Sequence, residues 1–150
     1  MDLESFILQE YDDYKLEHRK VIIELWNDEE SRKFLYDLSK EVKYLEEKYF
    51  EDKRNNAYIV YKDNQPIGYI STKADNNKCV ISYGLTKEYR GKHIGTCLLK
   101  EFTSKILLSY SDVDRLVLII DNKNTGSKKV ATNAGYQQET TIRYVKERKM

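Results

Sequence analysis

The sequence predicts a layered α/β fold in which helices flank one mixed, mostly antiparallel sheet. Three observations predict it. Apolar residues recur at helical spacing through the first third, alternate with a period of two from residue 57 onward, and then form a long amphipathic run between two strand-like segments. With 150 residues the chain is long enough for one domain with a substantial core, so we expect a single domain over residues 1–150.

Composition excludes several classes of protein. Aromatic residues at 12% and charged residues at 34% are typical of a globular chain, and no apolar run reaches the length that spans a membrane. The start of the chain is acidic and lacks the features of a signal peptide, so we expect a cytoplasmic protein without a membrane partner. The histidines and cysteines have no metal-ligand spacing, which predicts no metal and makes Cys79 and Cys97 buried, reduced thiols.

Charge is distributed unevenly along the chain. Residues 1–54 carry 16 acidic and 10 basic side chains, whereas residues 55–150 carry 9 and 16. The opposite net charge of the two parts favours an anionic ligand on the C-terminal part and a cationic ligand near the N-terminal part. A solvated helix surface explains the acidic part equally well. No basic face dominates, so we expect no nucleic-acid partner.

The first third is predicted to contain one strand and then helices. Phe6 and Leu8 alternate with polar residues, which predicts an edge strand within Glu4–Glu10. Helical spacing follows over Tyr14–Trp26, continues over Glu30–Leu38, and resumes from the N-cap candidate Ser39. We interpret the apolar stripes of these helices as core.

A three-strand meander comes next. The predicted strands are Ala57–Tyr61, Pro66–Ser71 and Cys79–Leu85, joined by polar turns at residues 62–65 and 75–78. Gly84 lies inside the third strand, where glycine commonly marks a bulge or a close backbone approach.

A short basic turn with two glycines lies between the third strand and the long helix. Gly91 and Gly95 flank Lys92 and His93, and the helix that follows has apolar residues at positions 94, 98, 99, 102, 106 and 107. The first N–H groups of a helix have no intrahelical partner and carry partial positive charge. This turn is therefore a candidate anion-binding site, and phosphate is the usual ligand of such sites. An ordinary helix-start turn, with a purely structural role, accounts for the pattern about equally well.

Beyond the helix, Arg115–Ile120 is almost wholly apolar, which predicts a strand buried on both faces. A strand, a crossover helix and a second strand form a right-handed unit, and ligands bind at the strand ends of such units.

The run Arg90-Gly91-Lys92-His93-Ile94-Gly95 resembles the Arg/Gln-x-x-Gly-x-Gly/Ala signature of the GNAT family of acetyl-CoA-dependent N-acetyltransferases. The resemblance implies that backbone amides of this loop hold the pyrophosphate of coenzyme A. His93 departs from the signature because it stands where the family usually has glycine. We interpret His93 as an exposed loop residue rather than a catalytic one.

A second resemblance lies further along the chain. Asn124, Ser127 and the pair Gly135-Tyr136 match the family's Asn-x-x-Ser/Ala element and the Gly-Phe/Tyr that follows it. The resemblance implies a bulged third strand whose backbone pairs with the pantetheine arm, and two parallel strands that splay apart around the thioester. The residues it assigns to coenzyme A are Leu85, Thr86, Arg90, Gly91, Lys92, His93, Ile94, Gly95, Thr96, Asn124 and Ser127.

The tyrosine that protonates the leaving thiolate in many family members is replaced by Ala131. Subfamilies that act on protein N-termini, such as those that acetylate ribosomal proteins, often lack it and have serine at the position of Ser127. The resemblance therefore makes Ser127 the catalytic candidate. A thiol near pKa 8.5 is already a tolerable leaving group.

The sequence and the resemblance together predict direct acetyl transfer from acetyl-CoA, without metal, to a primary amine of a protein, peptide or small molecule. The third strand contains no carboxylate to act as a base, which favours an α-amino or other acceptor of low pKa. A GNAT-fold module that binds acyl-CoA without turnover remains the alternative. Oligomeric state stays open, with a homodimer as one option.

Overall fold

The computed structural model describes residues 6–12, 14–27, 54–120 and 123–139. Within these ranges five strands form one sheet, in the order β1-β2-β3-β4-β5, accompanied by three helices. The elements in chain order are β1 Phe6–Glu10, α1 Leu16–Asn27, β2 Asn56–Lys62, β3 Gln65–Asp75, β4 Lys78–Leu85, a 3₁₀ turn Lys87–Tyr89, α2 Ile94–Ser109, β5 Arg115–Val117 and α3 Thr125–Asn133. The helices predicted over Glu30–Leu38 and from Ser39 lie outside the described residues.

Strands β1 to β4 are antiparallel neighbours, which confirms the predicted meander. The β2–β3 hairpin has a two-residue turn in which Asp63 and Asn64 both have positive φ, 51° and 66°. Two positive φ values are the mark of a type I′ turn, whose twist matches that of the flanking strands. Asp and Asn tolerate this conformation better than most residues, which explains the turn at this point.

The fourth and fifth strands are parallel and separate along their length. Their pairing runs from Lys78↔Arg115 to Val80↔Val117, whereas β4 continues to Leu85. The expected mixed sheet with a splayed parallel pair is therefore confirmed. Because ladder groups of the last part of β4 have no β5 partner, a gap opens beside that end of the strand.

The two faces of the sheet have separate cores. One face packs on α1 through a cluster made of Val21, Ile22, Leu25, Ile59 and Tyr61. The other packs on α2 through a larger cluster that includes Val60, Ile70, Ile81, Leu98, Leu99 and Phe102. Successive strand residues point to opposite faces, which is why Ile59 and Val60 belong to different clusters. No helix in the described ranges is long and apolar enough to cross a membrane.

Two burial predictions were wrong, and one apolar residue of α2 is exposed. Leu107 is 47% exposed, because the buried stripe of α2 runs through Leu98, Phe102 and Ile106, and Leu107 lies about 100° away from the last of these. The fifth strand is shorter than Arg115–Ile120 and only partly buried, since in the described part of the chain it pairs on one side alone. Cys79 is buried as predicted, but Cys97 is only half-buried; both are free thiols.

Gly84 is a site of close approach and does not mark a bulge. The β3–β4 register is continuous through Tyr69↔Gly84, and the sheet's register shift lies between Val60 and Tyr61 of β2 instead. The implied bulge in the third strand is therefore not present in its pairing with β3. The Gly84 carbonyl occupies the space that a Cβ on Gly68 would need, so the two strands approach closely only because residue 68 has no side chain.

Candidate active site

The loop from Arg90 to His93 makes two left-handed turns before α2 begins. Gly91 has φ of 72°, and His93 has φ of 62° and ψ of 7°. Left-handed residues interspersed in a turn bring successive N–H groups to one side, which forms a concave anion site. The family's preference for glycine where His93 stands thus has a physical cause, because glycine reaches this conformation without a Cβ penalty.

The backbone donors of this loop are available to a ligand. Among the described residues, none accepts a hydrogen bond from the N–H groups of residues 91–96, and the first helical bond runs from the Cys97 N–H to the His93 carbonyl at 3.2 Å. The His93 side chain does not cap the helix. Gly91, Lys92 and His93 are exposed, whereas Ile94, Gly95 and Thr96 are buried. The geometry therefore fits a pyrophosphate bound by backbone amides with Lys92 beside it.

Arg90 has a structural contact in addition to its place in the loop. Its Nε donates a hydrogen bond to the Leu85 carbonyl at 2.9 Å, and its own N–H donates to the Lys87 carbonyl at 3.3 Å. These bonds tie the start of the loop to the end of β4. The backbone N–H of Arg90 is consequently engaged, unlike those of residues 91–96.

Leu85 and Thr86 differ in what their amides can do. The Thr86 N–H donates to the Ile67 carbonyl of β3 at 2.8 Å, so it already has a partner within the sheet. Ladder groups of successive residues point to opposite sides of a strand, so the Leu85 N–H points away from β3, into the gap beside β4. Of the two predicted amides, the geometry therefore favours Leu85 as the one that meets a thioester or pantetheine arm, and it does not favour Thr86.

Three segments of the predicted site meet at Gly95. A Cβ on Gly95 would lie 3.7 Å from Leu85 Cδ1, 3.7 Å from Val130 Cγ1 and 3.8 Å from Tyr83 Cε2. The end of β4, the start of α2 and the middle of α3 thus converge within van der Waals distance. This region is therefore lined by residues of β4 and α3 that are about forty positions apart in the sequence.

Asn124 and Ser127 form the N-terminal cap of α3. Asn124 is the N-cap residue, and its Oδ1 accepts a hydrogen bond from the Ser127 N–H at 3.1 Å. Such a cap stabilises a helix by about 1 kcal/mol. The cap uses Oδ1 alone, so the Nδ2 donor of the same amide is not required for it.

Tyr83 is a residue of this region that the sequence reasoning missed, since its ring adjoins Gly95. Burial raises the pKa of its hydroxyl to about 12, with Tyr136 adding to the rise and Ser127 opposing it. Nearby, the hydroxyl groups of Thr103 and Tyr136 are 2.5 Å apart and link α2 to the segment after α3. Residue 83 follows Cys79 and Ile81 in strand alternation, and that apolar context gives no local signal of a functional role.

Ala131 lies where the family's proton-donating tyrosine is expected, and it is 92% buried. Ser127 and Ala131 are four residues apart in α3 and therefore share one face of the helix. Within the described ranges, no group of three His, Cys, Asp or Glu residues is placed to hold a metal ion.

Comparison with known proteins identifies the architecture. The sequence matches the family model of the acetyltransferase (GNAT) domain over residues 11–137. No curated protein matches the sequence significantly.

Solved structures resemble the chain in fold. Spermidine N-acetyltransferase from Vibrio cholerae, in complex with CoA and spermine, aligns with a TM-score of 0.74 and 13% identity over 91% of this chain and 83% of its own. The aminoglycoside acetyltransferase AAC(6')-Ib, in complex with coenzyme A and kanamycin, aligns with a TM-score of 0.71 and 16% identity, over 90% of this chain and 86% of its own. The ribosomal L7/L12 α-N-protein acetyltransferase RimL aligns with a TM-score of 0.68 and 18% identity, over 85% of this chain and 74% of its own.

These likenesses are at low identity and show the fold, whereas the family model covers most of the chain. Together with the loop at residues 90–96 and the splayed strands, that match is decisive: the chain belongs to the GNAT family of acetyltransferases, whose cosubstrate is acetyl-CoA.

Proposed function

We propose that the protein transfers acetyl from acetyl-CoA directly to a primary amine, with no covalent enzyme intermediate. The observation that carries the proposal is the convergence at Gly95, which brings the free donors of residues 91–96 next to the end of β4 and to α3. A pyrophosphate on the loop and a thioester in the gap beside β4 are compatible with this arrangement.

The reaction follows from the groups around the gap. The amine nitrogen attacks the thioester carbonyl carbon, and the Leu85 N–H stabilises the negative charge that develops on the carbonyl oxygen. The C–S bond then breaks, and the sulfur leaves with its electron pair. Ser127 donates a hydrogen bond to the developing thiolate, and the proton released by the nitrogen neutralises that thiolate through water. The products are the acetylated amine and coenzyme A.

Availability of neutral amine favours one class of acceptor. At pH 7 an alkyl amine of pKa about 10.4 is neutral only about once in 2,500 molecules, a free-energy cost of about 4.6 kcal/mol, whereas an α-amine near 7.8 costs about 1.2 kcal/mol. Strand β4 contains no carboxylate. Glu101, whose pKa is raised by burial, lines a groove with Phe6 and Leu8 of β1 and stands about 10 Å along α2 from the loop. We therefore favour an α-amine, as on a protein or peptide N-terminus.

We also propose a cytoplasmic location and an amine acceptor of a type that can be tested. Free thiols at Cys79 and Cys97 suit the reducing cytoplasm. The similar structures include enzymes named for a polyamine, an aminoglycoside and a protein N-terminus, so a panel should contain all three types of amine.

The test is coenzyme A release from acetyl-CoA in the presence of α-amino peptides, polyamines and aminoglycosides, with products identified by mass. We expect the α-amino peptide to have the highest kcat/KM at pH 7. We also expect kcat/KM for the alkyl amines to rise roughly tenfold per pH unit as the neutral fraction grows.

The alternative is a module that binds acyl-CoA without turnover, which Ala131 and the lack of a carboxylate in β4 favour. Tight acetyl-CoA binding together with no amine-dependent thiol release across the panel, at both pH 7 and pH 9, would establish this alternative and reject the enzymatic proposal.

A further inference from the structure

The side chain of Arg90 turns back from the loop to the end of β4. Its Nε donates a hydrogen bond to the Leu85 carbonyl at 2.9 Å. The same peptide group, which joins Leu85 to Thr86, donates its N–H to the Ile67 carbonyl at 2.8 Å. The last peptide of β4 is therefore held at both ends, by β3 on one side and by Arg90 on the other.

The strand register places this contact in the gap beside β4. Residues of an antiparallel strand direct both backbone groups toward the neighbouring strand or both away from it, in alternation. Thr86 bonds β3, so its neighbour Leu85 directs both its N–H and its carbonyl away from β3. In the described part of the chain, β5 pairs with β4 only from Lys78 to Val80. Arg90 therefore reaches Leu85 on the side where we place the thioester.

The contact changes what the end of β4 offers to a ligand. The pantetheine arm contains two amides, each with an N–H and a carbonyl, whereas the thioester has a carbonyl alone. A strand edge that offers both donors and acceptors specifies a register weakly. Because the guanidinium covers the Leu85 carbonyl, a ligand N–H placed opposite it would face a cation that has donors only. The Leu85 N–H remains, and it suits the thioester carbonyl.

We propose that Arg90 is a positioning residue that sets the register of the pantetheine arm along β4, so that the thioester carbonyl and not an amide of the arm meets the Leu85 N–H. The inference rests on the acetyl transfer proposed above. The Arg90 side chain acts on the strand in this assignment, and the pyrophosphate is left to the loop amides and Lys92. A donor that is misplaced at the reacting carbonyl affects the chemical step more than it affects binding.

Two substitutions separate the Nε donor from the charge. Arg90→Met keeps a stem of similar length without a donor, whereas Arg90→Gln places its Nε2 donor the same number of bonds from the backbone as Nε and has no charge. We expect Arg90→Met to lower kcat about tenfold with KM for acetyl-CoA within about twofold of the parent, and Arg90→Gln to keep most of the parental kcat. Circular dichroism verifies the fold of both variants.

Two outcomes of these kinetics would overturn the inference. A raised KM for acetyl-CoA with parental kcat in Arg90→Met would make Arg90 a ligand of the pyrophosphate instead. Equal kcat in Arg90→Gln and Arg90→Met would show that the Nε donor is not what matters. Acetylpantetheine, which lacks the pyrophosphate, should lose at least as much kcat/KM as acetyl-CoA does in Arg90→Met, because only the contact with β4 aligns it.

Lys87→Met is the matched control, since it removes an exposed basic side chain of the same turn, three residues before Arg90. It should leave kcat and KM at the parental values. A fall in kcat equal to that of Arg90→Met would point to a general loss of positive charge and contradict the positioning role.

An NMR measurement without any amine separates this inference from the proposed function. With acetyl-CoA bound, we expect a nuclear Overhauser contact between the acetyl methyl protons and the Leu85 N–H in the parent. Arg90→Met should weaken or lose it, while the amide signals of residues 91–96 still shift. If no amine is acetylated, the proposed function fails and this test still stands. The absence of the contact in the parent, or its parental intensity in Arg90→Met, would reject the inference.

Discussion

His93 shows at the scale of one residue how the loop departs from its family. Histidine at φ 62° carries a Cβ in the left-handed region, which costs about 1–2 kcal/mol for most side chains. The side chain is exposed and does not cap α2, so no contact from it to the helix N-terminus offsets that cost. We therefore expect histidine in place of glycine at residue 93 to change the free energy of unfolding more than it changes the orientation of the loop N–H groups.

Substitution of His93 separates these two effects. We expect His93→Gly to keep the free energy of unfolding or raise it by up to about 1 kcal/mol, and His93→Val to lower it by about 1 kcal/mol or more, because β-branched residues resist positive φ. Urea denaturation measures both. A His93→Gly variant less stable than His93→Val would contradict the backbone assignment.

Ser127 is the residue on which catalysis depends in this account. Removal of one hydrogen-bond donor to a developing oxyanion costs about 10²–10³-fold in kcat, and a leaving group of pKa about 8.5 needs less help, so Ser127→Ala should lower kcat roughly tenfold to a hundredfold with little change in KM for acetyl-CoA. Steady-state kinetics at saturating acetyl-CoA provides the measurement. A kcat within about twofold of the parent, with a raised KM, would leave Ser127 as a binding and capping residue only.

At the scale of elements, the start of α2 links the anion site to the gap beside β4. Gly95 has ordinary contact distances to the position of an added Cβ, so alanine fits, whereas the two γ-methyl groups of valine would enter the space between Leu85, Tyr83 and Val130. Close approach of a ligand to this helix start depends on that space.

Gly95→Val should therefore weaken coenzyme A binding without unfolding the protein, and Gly95→Ala should weaken it less. Calorimetry gives the affinities, and circular dichroism verifies the fold. A folded Gly95→Val variant with parental affinity would show that the ligand does not approach this helix start. In the parent, coenzyme A at 100 times its Kd should stabilise the fold by about 2.7 kcal/mol.

The β1–α1 unit contains a buried histidine that makes its stability depend on pH. His18 is fully buried between Tyr11 and Tyr61; its Nδ1 accepts from the Asp12 N–H at 3.0 Å and its Nε2 lies 3.3 Å from Gln9 Oε1. Burial, with a smaller contribution from Lys15, lowers its pKa below 6.5. Only the neutral ring can accept from Asp12, so the folded state binds this proton less readily than the unfolded state does.

Stability contributed by His18 is consequently complete above about pH 6.5 and is lost as pH falls below that value. His18→Asn keeps an acceptor near the Nδ1 position and cannot titrate in this range. We expect the free energy of unfolding to fall more steeply from pH 7 to pH 5 in the parent than in His18→Asn, as measured by urea denaturation at each pH. Parallel curves would contradict the assigned protonation state.

At the scale of the whole molecule, the sequence predicted what depends on local periodicity. The meander, the β2–β3 turn at Asp63 and Asn64 and the buried stripe of α2 follow from patterns that neighbouring residues display. What the sequence did not predict depends on long-range placement. The engagement of the Thr86 amide by Ile67, and the approach of Tyr83 and Val130 to Gly95, each join residues that no local pattern relates.

The candidate site shows the same division. The loop at residues 90–96 was predictable because glycine positions and a following amphipathic helix are local signals. The family resemblance, and not the local pattern, identified coenzyme A as the expected ligand. The short, half-buried β5 was mispredicted because an apolar run does not reveal how many neighbours a strand has.

The most direct test of the central claim, that the loop amides bind the pyrophosphate of coenzyme A, is an NMR titration that follows the backbone amide signals. Coenzyme A should shift the signals of residues 91–96 together with those of Leu85 and Ser127. Pantetheine, which lacks the pyrophosphate, should at sufficient concentration shift Leu85 and Ser127 and leave residues 91–96 in place. Binding of coenzyme A with unchanged signals at residues 91–96, or no binding at all, would contradict the account.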